Sequence, residues 1–124
     1  EVLIAALIKD QGLAIALVNT NAAQLPDEYA KMDLHIGGML HSCIIATAAG
    51  TPCIGLAYDE KHFGFFELME RGEYCLRANP INFDVLLQKS LEILQNATRE
   101  QVKINARRRE LMARCLQTLN SIAA

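Results

Sequence analysis

Short apolar runs, separated by stretches whose apolar residues recur at helical spacing, set the pattern of this chain. LAIALV at 13–18, DLHIGG at 33–38, PCIGLAY at 52–58 and EYCLRA at 73–78 read as strands, the last at a sheet edge. Short runs of this kind, near-continuous in apolar residues and bounded by glycine or proline, suit strands covered on both faces. Between them the helices are marked mainly by their stops: Val2–Gln11 before Gly12, 41–50 ended by Gly50, and 63–72 ended by Gly72. Pro26 is placed to open a short helix in the polar segment NTNAAQLPDEY.

Two longer helices close the chain. Asn82 is placed to cap Phe83–Gln95, where Phe83, Leu86, Leu87, Leu91 and Leu94 fall on one face. Thr98–Gln101 has the form of a capping box, and the helix it opens runs to about Ile122. Its stripe of Met112, Cys115, Leu116, Leu119 and Ile122 needs a surface to lie on.

Strands alternating with helices predict an α/β domain, a Rossmann-like parallel sheet flanked by helices. Only four strands are legible, and the chain starts without a methionine in what reads as a helix, so it is expected to be half of a larger enzyme. The chain between 18 and 33 is barely long enough for a parallel crossover, which raises the question of a loop missing near 19–24.

Composition narrows the function classes. A chain of 124 residues suits one core. A net charge of -2 and a pI near 5.9 lack the basic excess of a nucleic-acid binder. Arg107, Arg108 and Arg109 fan out around a helix and read as a solvated face. No run is apolar for long enough to span a membrane, and the start lacks the basic region and cleavage site of a signal peptide. Cys43, Cys53, Cys75 and Cys115 show neither a CxxC pair nor metal-ligand spacing. They are expected to be reduced and structural, which favours the cytoplasm, and no metal centre is expected.

Chemistry is sought beyond the carboxyl ends of the strands, where open parallel sheets bind their ligands. Two loops qualify: Gly37–Gly38–Met39–Leu40–His41–Ser42 and Tyr58–Asp59–Glu60–Lys61–His62. Glycines let backbone approach a ligand, and the N–H groups of the following helix face an anion. Histidine suits proton transfer near neutrality, and lysine suits a phosphate. If the two strands are neighbours, His41, Lys61 and His62 come together. Taken singly, each has a plainer reading: a tight turn, a helix cap, a surface charge, and for His35 a structural place in its strand.

At these residues the sequence resembles the polysaccharide pyruvyl transferase family. Asp33-Leu34-His35-Ile36-Gly37 stands for the family's Asp-led strand, and Gly38-Met39-Leu40-His41-Ser42 for its Gly-x-Arg-Leu-His-Ser/Ala segment. Gly50-Thr51-Pro52 matches a Gly-x-Pro turn, and Tyr58-Asp59-Glu60-Lys61 a Tyr-Asp-x-Lys strand end. The likeness is close from Asp33 to Met69 and loose over the two closing helices.

The resemblance implies the C-terminal half of a GT-B-like two-domain architecture, with an N-terminal domain absent from this chain. It implies transfer of pyruvate from phosphoenolpyruvate, with no further cofactor, onto a sugar hydroxyl pair as a ketal. The acceptor is a cell-surface polysaccharide or its precursor, and the place of work the cytoplasm, at the inner face of the membrane. His41 is implied as the general acid. Carried over residue by residue, the family's donor-holding segment matches at Leu40 and His41, and the two loops add Gly37, Gly38, Met39, Ser42, Tyr58, Lys61 and His62 as expected substrate contacts. Met39 departs from the pattern: the family has arginine there, able to grip a phosphate or carboxylate bidentately. Either another residue supplies that grip, or the donor differs, or activity is lost. Two rival readings follow. One is the nucleotide-sugar-binding half of a GT-B glycosyltransferase, against which Leu34 to Tyr58 contains no Asp or Glu. The other is a non-catalytic relative, which Met39 favours.

Overall fold

A computed structural model describes Gly12, Ala14, Ala16 and residues 18–123. Strands β1 (His35–Gly37), β2 (Cys53–Ala57) and β3 (Cys75–Arg77) form a wholly parallel sheet in the order β1-β2-β3. Helix α1 (Leu25–Ala30) precedes β1, α2 (Leu40–Ala48) joins β1 to β2, and α3 (Glu60–Leu68) runs from β2 towards β3. A 3₁₀ turn at Gly72–Tyr74 leads into β3, and α4 (Phe83–Gln95) and α5 (Ala97–Ala123) follow.

Small residues decide how the helices sit. Gly37 pairs with Gly55, and Gly55 with Cys75, and paired residues in a parallel ladder project to the same face. A Cβ at Gly55 would lie 2.5 Å from a ring carbon of Phe66 in α3. At Gly37 it would lie 2.6 Å from Ser42 Oγ and 2.9 Å from Cys43 Sγ, both in α2. The two glycines thus let α2 and α3 settle side by side on one face, and the buried cluster of the domain includes Cys43, Ala46, Cys53, Ile54, Phe66 and Ile93. β2 is central and nearly all buried, as its apolar sequence requires.

A buried ion pair fastens the other end. Arg71 Nη1 donates to Glu100 Oε2 at 2.6 Å, both side chains almost wholly enclosed, and the guanidinium stacks on the Tyr74 ring at 4.3 Å. It ties the turn before β3 to the first turn of α5.

The parallel α/β sheet flanked by helices is the expected fold, and three of the four expected strands stand where the apolar runs placed them. The helix expected at Val2–Gln11 lies outside the described residues, as do Leu13, Ile15 and Leu17 of the strand expected at 13–18. Ala14, Ala16 and Val18 are described and belong to no strand. Pro26 does open α1, and Asn82 Oδ1 accepts from the Val85 N–H at 3.1 Å to cap α4.

Several boundaries and faces are corrected. The helix expected at 63–72 starts at Glu60 and ends at Leu68, because the Asp59 carboxylate accepts the N–H groups of Lys61 and His62 and so caps it. α5 starts at Ala97, where the Glu100 N–H bonds to Asn96 O, so Thr98 lies inside the helix and forms no capping box. α4 turns Leu86 and Ile93 inward and leaves Phe83, Leu87, Leu91 and Leu94 exposed. Met112, Leu116, Leu119 and Ile122 of α5 are exposed too. Arg107 is no solvated charge: it donates to Leu68 O and pairs with Glu70 and Glu110. All four cysteines are free, three of them buried and Cys115 exposed. Among the described residues no helix is long and apolar enough to cross a membrane.

Candidate functional site

The register of β1 on β2 sets their carboxyl ends side by side, and each strand runs straight into a helix. α2 begins after Met39, whose extended backbone (φ -102, ψ 127) makes the turn off the strand. α3 begins after Asp59, also extended (φ -141, ψ 168). Both helices lie on the same face, so their first turns open on one edge of the sheet. The N–H groups of the first turn of an α-helix have no carbonyl within the helix to bond.

His62 joins the two turns. Its side chain is completely buried, with Nδ1 2.9 Å from Asp59 Oδ1 and Nε2 3.2 Å from Gly38 O. A carboxylate and a carbonyl are both acceptors, so the two contacts are hydrogen bonds together only when each ring nitrogen carries a hydrogen. The hydrogen bond from His62 holds the Asp59 carboxyl below its ordinary value of 3.8, aided by the backbone N–H groups of His62 and Lys61 and opposed by desolvation. Tyr58 sets its ring edge-on to His62, centroids 4.8 Å apart, and is otherwise exposed.

The first loop is braced from beneath. Ser42 Oγ donates to Met39 O at 2.7 Å, so it accepts from His35 Nε2 at 3.0 Å. The Cys43 thiol points to Gly37 O at 3.6 Å, and Tyr29 packs edge-on against His35. Ser42 is therefore engaged with its own loop. His35 anchors it, in keeping with the structural part expected of that residue.

The sequence-derived set divides into two groups. Gly38, Met39, His41, Tyr58 and Lys61 are exposed at the strand ends, with Leu40 half-buried beside them. Gly37, Ser42 and His62 lie beneath, building the loops. Sequence reasoning missed Asp59 as helix cap and partner of His62, although an Asp three residues before a His at a helix start was a signal for it. It also missed Arg77: β3 pairs Arg77 with Ala57, which brings this exposed arginine to the same edge. Chemically, the edge offers an imidazole, an ammonium, a guanidinium and first-turn N–H groups to an anion.

The family model for polysaccharide pyruvyl transferase matches residues 2–60, which is the family named from the motifs. The match takes in the Gly37–Ser42 loop and Tyr58 to Glu60, and ends one residue before Lys61. It spans a little under half of the chain. No curated protein and no solved structure matches.

Proposed function

We propose that this chain is the donor-binding part of a polysaccharide pyruvyl transferase that moves pyruvate from phosphoenolpyruvate onto a pair of sugar hydroxyls. The observation that supports this most is the His62 bridge between Asp59 and Gly38. It holds the turn carrying His41 against the turn carrying Lys61, which supports reading the two as proton donor and cation for one ligand. The family match, which takes in the first loop and reaches Glu60, supports the general class of function.

In this reading His41 protonates the methylene carbon of the donor, leaving an oxocarbenium-like centre that one sugar hydroxyl captures. A second hydroxyl then displaces phosphate and closes the ketal. One hydroxyl proton replaces the proton His41 gave up, and the other leaves with phosphate. Lys61 and the first-turn N–H groups stabilise the phosphate as charge gathers on it. General acid catalysis of this kind contributes about 10²- to 10⁴-fold. The acceptor and the general base belong to parts of the enzyme outside these loops.

Ligand-observed NMR with phosphoenolpyruvate tests the reading. Signal transfer to the donor's methylene protons is expected with this chain and is expected to weaken in His41→Ala. No binding by the folded protein, with a sugar acceptor also present, would overturn the donor assignment and turn the search to nucleotide sugars.

A further inference from the structure

Met39 stands at the tip of the first loop, 66% exposed, and brings no charge to it. Besides Lys61, a second cation reaches this edge from the opposite side of β2. Arg77 is the last residue of β3 and pairs with Ala57, just before the Tyr58–Asp59 turn. Because Gly55, Cys75, Ala57 and Arg77 share a face by register, Arg77 projects on the side where α3 lies. Its guanidinium lies over the Phe63 ring at 5.1 Å, in the first turn of α3 beside His62.

That contact matters because an aromatic ring takes up no N–H donor in a hydrogen bond to an acceptor oxygen, so the guanidinium keeps donors for a ligand. Arg71 is committed to Glu100, Arg107 to Glu70 and Glu110, and Arg108 to Asn105, while Arg99, Arg109 and Arg114 belong to α5 and not to a strand end. Arg77 has no ion pair among the described residues. β1 and β3 flank β2, so their ends stand about 10 Å apart at ordinary strand spacing, a gap an extended arginine largely crosses.

We infer that Arg77 is the residue that grips the donor's carboxylate, in a bidentate pair of hydrogen bonds, while Lys61 takes the phosphate. The inference rests on the phosphoenolpyruvate reading above and adds to it the residue that orients the three-carbon acid. A planar fork fits a planar carboxylate, whereas an ammonium acts as a point charge and serves a phosphate equally well. With the carboxylate fixed on the β3 side and the phosphate near Lys61, the donor lies across the end of β2, its methylene carbon towards the loop that carries His41.

The test compares affinities of the whole chain for phosphoenolpyruvate and for inorganic phosphate, by titration calorimetry or NMR. Arg77→Gln is expected to weaken phosphoenolpyruvate at least tenfold and to leave phosphate binding and the melting temperature unchanged. Arg77→Lys is expected to recover only part of the loss, and Arg109→Gln, on the exposed side of α5, to change nothing. Wild-type protein that binds phosphoenolpyruvate, with Arg77→Gln binding it equally well, overturns the role of Arg77 alone. An equal loss for both ligands overturns the carboxylate assignment. Wild-type protein that binds neither ligand removes the donor reading, and this inference with it.

Discussion

Gly37 is the residue on which the first loop depends. Any side chain there meets His35 Nε2 at 2.5 Å, Ser42 Oγ at 2.6 Å and Cys43 Sγ at 2.9 Å. None of these is a free end that can swing away, since His35 and Ser42 hold each other and Ser42 holds Met39 O. Gly37→Ala is therefore expected to cost about 1–3 kcal/mol through overpacking, read as a lower urea midpoint with an unchanged slope. The cysteines give a second check at this scale. Burial raises the Cys75 thiol to about 11, and a hydrogen bond with Cys43 together with burial raises Cys53; the same bond lowers Cys43 to about 5, but Cys43 is wholly buried and out of a reagent's reach. Thiolate is the reactive form, and Cys115 alone is exposed. Iodoacetamide is expected to label one thiol per native chain, at Cys115, and four after denaturation. Rapid native labelling of a second cysteine would show that the core opens far more readily than its packing implies.

At the scale of elements, what could be read beforehand followed from backbone punctuation, and what could not followed from partners distant in the chain. Gly50 and Pro52 bracket the turn into β2, and the apolar runs at 33–38 and 52–58 contain β1 and β2 whole. The start of α3 was misplaced because Tyr58–His62 looked like a polar loop. Its capping depends on the Asp59 carboxylate reaching two N–H groups, which spacing alone suggests only weakly. The face of α4 was misjudged for a different reason. Of the stripe Phe83, Leu86, Leu87, Leu91 and Leu94 only Leu86 packs on the core, and Ile93, outside that stripe, is buried with it, because tertiary packing and not periodicity chose the inward face. Among the site residues, the exposed ones at the strand ends came from motif and topology. Arg77 was invisible because only the register of β3 on β2 brings it there.

The link between elements with the clearest energetic signature is Arg71–Glu100. Burial raises the Glu100 carboxyl, but the hydrogen bond and charge of Arg71, with Lys103 adding, outweigh it and hold the group below its ordinary 4.5. A carboxyl held low in the folded state stabilises the fold above its unfolded value, and that stabilisation is lost as pH falls through the folded one. Thermal stability is thus expected to fall from about pH 4.5 downward. Glu100→Gln is expected to shallow that acid limb while lowering stability at pH 7 by about 3–5 kcal/mol, since it strands the buried Arg71 charge. An acid limb equally steep in the variant would assign it to other carboxylates, Asp59 first among them.

Across the whole molecule, the sheet, α2, α3 and α4 share one core, whereas α5 belongs to it only at its beginning. Glu100 and Ile104 are buried, Leu111 is half-buried, and every residue from Met112 to Ala123 is exposed. That last stretch extends about 18 Å past the packed part, at 1.5 Å per residue. Its stripe of Met112, Leu116, Leu119 and Ile122 is exposed, and a helix of this length without a buried face is marginal in water. The chain should therefore run on two clocks. Amides of β2 and of the buried faces of α2 and α3 are expected to exchange with solvent hydrogen only at the rate of global opening. Those beyond Leu111 are expected to exchange orders of magnitude sooner, with a break in protection near that residue, followed by hydrogen-exchange mass spectrometry. Protection running evenly to Ala123 would mean that, in solution, the end of the helix has found a companion surface.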